Sequence, residues 1–320
     1  MIDVTCAIIR NEEDEILVVQ RGEKSDHPLK WEFPGGKIMK GETEEDCIIR
    51  EIKEELSIEI VICRKLNDVE YDYGIKKIRL IPFICDTLDD MPFLSEHVAY
   101  KWVNIKDLTK IDFSEADVFV AEDYVQTVSP DDLTKGEKPS GISQPDEAEI
   151  REMVNRIMGM KEAEWMAASL TENPLLFRKF IEFSYSDDQK LAFHASWIIT
   201  KVCDKSPEII YPYLPDIVES LKGIRNESAL RSFLRILSMS DPGKLSQRHH
   251  GLLADVCFSY LNSGFAAIAI KAYSMEILYR LTLIYPELAT ELALSMKGVT
   301  EMDSAGIVSK AKAILKKLNK

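Results

Sequence analysis

Glu51, Glu54 and Glu55 stand at positions i, i+3 and i+4 of the segment GKIMKGETEEDCIIREIKEELSI, which runs from residue 36 to 58. At 100° per residue, a helix with that spacing carries three carboxylates on one face. Ile49, Ile52 and Leu56 fall roughly 120° away, where they are expected to anchor the helix in a core. Like charges stacked in this way disfavour a helix by some tenths of a kcal/mol per pair. A hard cation taking oxygen ligands reverses that sign. A solvated acidic face would also have to explain the glycine-rich WEFPGGK ahead of the helix and the order Gly36, Glu42, Arg50-Glu51. The chemistry to expect is divalent-metal binding by carboxylates.

The elements that must position these groups alternate. VTCAIIR and EILVVQR read as a hairpin around the polar turn NEEDE. Apolar residues recur at helical spacing from Thr43 to Leu56, and Thr43 with Asp46 makes a capping-box-like start. IEIVICRKLNDVEYDYG and IKKIRLIPFICDTL read as two long strands about a turn at Gly74, VAYKWVNI as a further strand, and SEADVFVAEDYVQ as a closing helix. Residues 127–146 concentrate Pro, Gly, Ser and Asp. The expected division is a first domain over 1–128, a linker over 129–146 and an all-helical domain over 147–320. In the last, Ile198, Ile199, Val202, Pro207 and Glu208 match Ile277, Leu278, Leu281, Pro286 and Glu287 at an offset of 79 residues, with SFLRILSM midway. A unit of about 40 residues fits a HEAT or armadillo-like helical repeat, with a non-repetitive bundle as the alternative.

Composition narrows the function classes. The chain has 320 residues, 46% hydrophobic and 29% charged, as an ordinary globular protein does. No uncharged apolar run approaches the roughly 20 residues of a membrane span, so no membrane role is expected. The N-terminus lacks the basic start of a secretory signal, and six scattered cysteines fit buried thiols of a reducing cytoplasm. Residues 147–320 hold 22 Lys+Arg and 21 Asp+Glu, which leaves 18 and 33 for residues 1–146, net charges of +1 and −15. So acidic a first domain repels a long phosphate backbone and suits a small anion carried in with divalent cations.

Residues 36–58 resemble the Nudix box, and with WEFPGGK and LSEHVAYKWV the resemblance extends over about residues 1–126 to the MutT-like branch of that family. One position departs: Ser57 stands where the box has glycine, at a helix end that favours a left-handed residue, a cost of about 1 kcal/mol. The resemblance implies an α+β chain whose first domain is an α/β/α sandwich with a mixed sheet. It implies Mg²⁺, with Mn²⁺ as an alternative, held by Gly35, Glu51, Glu54, Glu55 and Glu96. Glu51, Glu54, Glu96 and Arg50 would form the catalytic set, Glu51 or Glu96 serving as base, with Arg50 holding the carboxylates and Glu42 bracing the loop. The implied reaction is hydrolysis of a nucleoside triphosphate to monophosphate and pyrophosphate.

For the base pocket the resemblance implies Phe33, Arg21, Lys76 and Asp117. Phe33 alternatively belongs to the core and Lys76 to a solvated turn. Asp117 replaces an amide, so a cytosine-type base or, with the acid neutral, an oxidised purine is expected. The helical domain offers no catalytic motif. His249-His250 reads as a surface turn, His194 as a satisfied helix-face residue, and Arg225, Arg231, Arg235, Lys244 and Arg248 as a solvated edge or a phosphate-binding patch. Three roles stay open: an enzyme whose repeats dock a protein or self-associate, a nucleotide-sensing module with a regulated partner, and a nucleic-acid-associated protein.

Overall fold

Strand β1 (Ile2–Arg10) buries side chains on both faces, which makes it central in a three-layer arrangement. Cys6 and Ile8 join one apolar cluster with Ile16 and Val18 of β2 (Ile16–Gln20). Ala7 and Ile9 join another with Leu17 and Val19. The remaining strands are β3 (Trp31–Glu32), β4 (Val61–Lys65), β5 (Val69–Asp72), β6 (Lys77–Asp86) and β7 (Ala99–Val103). Helix α1 (Glu44–Leu56) covers one face through Ile48, Ile52 and Leu56. After the short α2 (Ile105–Leu108), α3 (Glu115–Thr127) covers the other through Ala116, Val120 and Tyr124. The sheet order is β3-β2-β1-β6-β4, with β5 on β6 and β7 on β2. β1 and β6 run parallel from Ile2–Ile78 to Arg10–Asp86, and the other pairs are antiparallel, so the sheet is mixed as expected.

The computed structural model describes residues 1–11, 13–74, 76–87, 92–127, 147–155, 160–264, 266–297 and 305–318; the expected linker at 129–146 lies outside them. The chain divides into two compact units, Met1–Ala163 and Glu164–Lys320.

Two local expectations change. The long strand before Gly74 is broken into β4 and β5 at Leu66–Asp68, after a register shift between Ile62 and Arg64. On α1, Cys47 and Ile48 are buried and Ile49 is 47% exposed, because the helix is rolled to carry Glu55 rather than Ile49 inward. The start of α1 follows the sequence: Thr43 Oγ1 accepts from Asp46 N at 3.0 Å. At the far end, Ser57 adopts φ 55°, the left-handed conformation expected there.

Among the described residues ten α-helices follow: α4 (Glu147–Asn155), α5 (Met160–Glu172), α6 (Pro174–Phe183), α7 (Gln189–Lys205), α8 (Leu214–Ser220), α9 (Glu227–Met239), α10 (Gln247–Leu261), α11 (Ile268–Thr282), α12 (Leu288–Lys297) and α13 (Ala305–Leu318). In the second unit α7, α9, α11 and α13 form one row, each packed on the next, and α8, α10 and α12 form a second. The apolar residues matched at the 79-residue offset lie in α7 and α11, where Ile198, Ile199, Val202, Ile277, Leu278 and Leu281 are all buried. This is a stack of helical hairpins. Its arginines are spoken for: Arg225 pairs with Asp187 at 3.3 Å, Arg235 with Asp204 at 3.0 Å and Arg248 with Glu219 at 2.5 Å. Lys244 lies over the Tyr211 ring. His249 and His250 fall on the first turn of α10 rather than in a loop. His249 binds Ser246 and Glu219, and buried His250 binds Tyr285 Oη and the Pro242 carbonyl.

Candidate active site

The WEFPGGK loop lies against β1 through backbone bonds, Thr5 N to Gly36 O at 2.8 Å and Ala7 N to Pro34 O at 2.9 Å. Such contact needs residues without side chains. A Cβ on Gly35 would sit 2.2 Å from the Thr5 carbonyl oxygen, and one on Gly36 2.3 Å from the Glu51 carboxyl carbon. The glycines thus let Glu51 fold over the loop.

Arg50 organises the acids around it. Its Nε and Nη2 donate to the two oxygens of Glu42 at 2.7 and 3.0 Å, and its Nη1 lies 2.9 Å from Glu51 and 3.2 Å from Glu54. Glu42 also accepts from Met39 N at 2.9 Å. These hydrogen bonds, from Arg50 first and Met39 second, hold its carboxyl down at about 2. Glu42 therefore ties the loop 37–42 to α1 in the position expected for a brace.

A cavity of about 430 Å³ opens beside this lattice. Gly35, Glu51, Glu55 and Glu96 line one end of it; Phe33, Asp117, Arg21 and Lys76 line the other. Glu54 is not among the lining residues, and its side chain is 60% exposed. It shares Arg50 Nη1 with Glu51 and sits about 100° of helix turn from Glu55. Glu55 is 8% exposed and accepts from Gly35 N at 3.3 Å. Burial, and then the charges of Glu32, Glu51 and Glu96, push its carboxyl up to about 8. Among the described residues no three of these carboxylates bring oxygens within 4.8 Å of one another. The donors are all hard oxygens carrying more negative charge than the nearby cations offset, which fits magnesium or manganese and not a nitrogen- or sulfur-seeking metal.

The segment bearing Glu96 is fastened to the end of α1. Ser95 N donates to the Glu55 carbonyl at 3.0 Å, Ser95 Oγ reaches the Glu54 carbonyl at 2.8 Å, and Phe93 N donates to the Leu56 carbonyl at 2.8 Å. These bonds use carbonyls that a helix terminus leaves open. They explain how an acid 40 residues downstream reaches the box.

At the other end of the cavity Phe33 is 3% exposed, stacks on Phe113 at 4.9 Å between centroids and belongs to the core while lining the cavity. Its backbone N–H donates to Asp117 Oδ1 at 3.0 Å, and Ser114 Oγ bonds Asp117 Oδ2. Burial, with a contribution from Glu32, raises the Asp117 carboxyl to about 7. Arg21 Nη1 lies 3.1 Å from Glu32, and Lys76 Nζ 2.7 Å from Asp26. Four residues escaped the sequence reading: Glu32, Ser95, His97 and Ser114. Glu32 lay in a quoted motif and His97 beside Glu96, but nothing in their spacing announced a role.

Residues 2–123 match a family model described as NUDIX domain, and residues 150–318 one described as HEAT repeat domain. The 8-oxo-dGTP diphosphatase of Escherichia coli (strain K12) is 31% identical over 115 residues, 36% of this chain and 89% of that protein. The chain belongs to the Nudix family. The CTP pyrophosphohydrolase of the same organism is 30% identical over 129 residues, 39% of this chain and 92% of the relative. Among solved structures, a MutT protein from Methanosarcina mazei Go1 is similar at 29% identity, with a TM-score of 0.37 over 39% of this chain and 94% of that one. This Nudix chain is thus a hydrolase of the MutT-like branch joined to a HEAT-repeat domain. No helix among the described residues is long and apolar enough to cross a membrane.

Proposed function

We propose that the protein is a cytoplasmic, Mg²⁺-dependent pyrophosphohydrolase of nucleoside triphosphates, releasing nucleoside monophosphate and pyrophosphate, with damaged or modified nucleotides as preferred substrates. The observation that carries this is the single cavity with oxygen donors at one end and an aromatic and a reading carboxyl at the other. Gly35, Glu51, Glu55 and Glu96 would hold the ions; Glu54 would act at the rim. Bound there, divalent cations neutralise the triphosphate and acidify water. The chain's own groups do the rest. Glu51 or Glu96 takes a proton from the attacking water while its oxygen bonds phosphorus and the bond to the departing pyrophosphate breaks. Arg50 keeps Glu51 in place, and Arg21 and Lys76 steady the phosphate chain.

Asp117 would choose the base. Ionised, it accepts from an exocyclic amine, as a CTP-like substrate offers. Neutral, it donates one proton and accepts another, as an 8-oxo-dGTP-like base requires. A carboxyl raised to about 7 reaches both states in the working range. The HEAT repeats would dock a protein or a second copy. With their arginines paired to acids, they favour nucleic acid less. The test is a panel of triphosphates with Mg²⁺ at pH 6 and pH 8, scored for pyrophosphate. Turnover of none of them sinks the proposal, and D117N is expected to make the preference independent of pH.

A further inference from the structure

His97 is an odd group to bury. Its side chain is 7% exposed, and its Nδ1 is enclosed with no hydrogen-bond partner. An unsatisfied ring nitrogen costs stability wherever it is shut away from water. An apolar residue of similar size would escape that cost, so the imidazole needs another reason. The ring bonds at the opposite nitrogen, where Nε2–H donates to Glu32 Oε1 at 3.1 Å. The second oxygen of Glu32 holds Arg21 Nη1, also at 3.1 Å. Arg21, Glu32 and His97 all line the cavity. After burial, Glu32 is the charge that most raises the carboxyls of both Glu55 and Asp117, which places it between the ion-holding end and the base end.

We propose that His97 is a positioning residue for triphosphate binding, acting through Glu32 on Arg21. This rests on the assignment of Arg21 to the phosphate chain made above. With one oxygen tied to His97, Glu32 meets Arg21 through a single oxygen, and the remaining N–H groups of the guanidinium stay free for phosphate. Without His97 the carboxylate turns both oxygens to Arg21 in the bidentate geometry such pairs favour, and the guanidinium is withdrawn from the ligand. The effect falls on binding, not on the chemical step.

The experiment uses the full chain with His97→Leu, His97→Gln, Glu32→Gln and the double variant H97L/E32Q. KM and kcat are measured on the best substrate of the panel, and affinity for a non-hydrolysable α,β-methylene triphosphate with Mg²⁺ is measured by calorimetry. H97L is expected to raise KM and weaken the analogue about tenfold, leaving kcat within about threefold and Tm unchanged or higher. H97Q, which keeps a donor facing Glu32, is expected to restore both within about threefold. The double variant is expected to be no worse than E32Q alone, because the residues act in series. Wild-type KM and affinity in H97L, or penalties that add in the double variant, overturn the inference. Should H97L fail to fold, a loss of analogue affinity in H97Q of about tenfold or more, despite its retained donor to Glu32, overturns it equally. Absence of analogue binding by the unaltered protein overturns the phosphate assignment itself, and this inference with it.

Discussion

The two units differ in which acids they bury. In the helical stack several buried hydroxyls bond backbone carbonyls three or four residues earlier, Ser184 to Phe180, Ser196 to Phe193, Thr200 to Trp197 and Thr282 to Tyr279. Such bonds form as soon as the helix does and cost little. In the Nudix unit the buried polar groups are joined across the fold: Phe33 to Asp117, Gly35 to Glu55, Arg10 to Asp86. Two of these acids are raised, and raised acids are destabilising when ionised. Among the described residues the raised carboxyls, Glu55 and Asp117, both belong to the first unit, where a ligand or a proton relieves them. Chemistry belongs to the first, while the second offers a surface.

The sharpest way to break that contrast is substitution within it. E51Q and E55Q are each expected to lower kcat at least about 10³-fold, as loss of a transition-state group does. E54Q, exposed and outside the lining, is expected to lose about tenfold or less. S196A in α7 is expected to leave kcat unchanged and lower Tm by a few degrees. Steady-state kinetics on the four proteins decides, and an E54Q defect equal to E55Q would contradict the cavity as drawn.

Next in size is Gly36→Ala. Its Cβ collides with the end of a flexible glutamate, so Glu51 is displaced while the fold is kept. A loss of about 10²-fold in kcat with Tm within about 3 °C is expected. Equal damage to both would make the glycine structural.

The third concerns pH. The Glu55 carboxyl ionises near 8 when folded against an ordinary 4.5. An acid raised on folding costs stability once the unfolded chain would ionise it, and the cost grows as pH rises from about 4.5 to about 8. Metal-free protein should therefore lose a few kcal/mol across that window, and E55Q should flatten the slope. Mg²⁺ should release a proton on binding below pH 8, visible as a buffer-dependent heat in calorimetry. Identical slopes for E55Q and the unaltered protein would remove Glu55 as the cause. The smallest effect belongs to Ser57, where S57G relieves a left-handed side chain and is expected to add about 1 kcal/mol with kcat unaltered, read from denaturant unfolding.

How far the sequence could be read follows from how each feature is encoded. The acidic helix and its cap lie at fixed offsets within one short segment, so spacing exposed them, while the left-handed Ser57 was expected only through the resemblance to the box. The repeat was legible because Ile198 and Ile277 serve equivalent burial sites. The roll of α1, which hides Glu55 and turns Ile49 and Glu54 outward, depends on how closely Gly36 lets the helix approach β1, and periodicity carries no such information. Glu32 and His97 meet across 65 residues from different strands and loops, a pairing no local pattern announces.

The parallel pairing of β1 with β6 also shapes how the chain is made. Ile2 must wait for Ile78 before its neighbour exists. At about 5–20 residues per second a ribosome needs on the order of 4–15 s to supply it. During that interval a strand reading CAII stands without its partner, open to unwanted association, whereas each helical hairpin behind it can close on the one just finished. A nascent chain of this protein is most exposed to aggregation along β1.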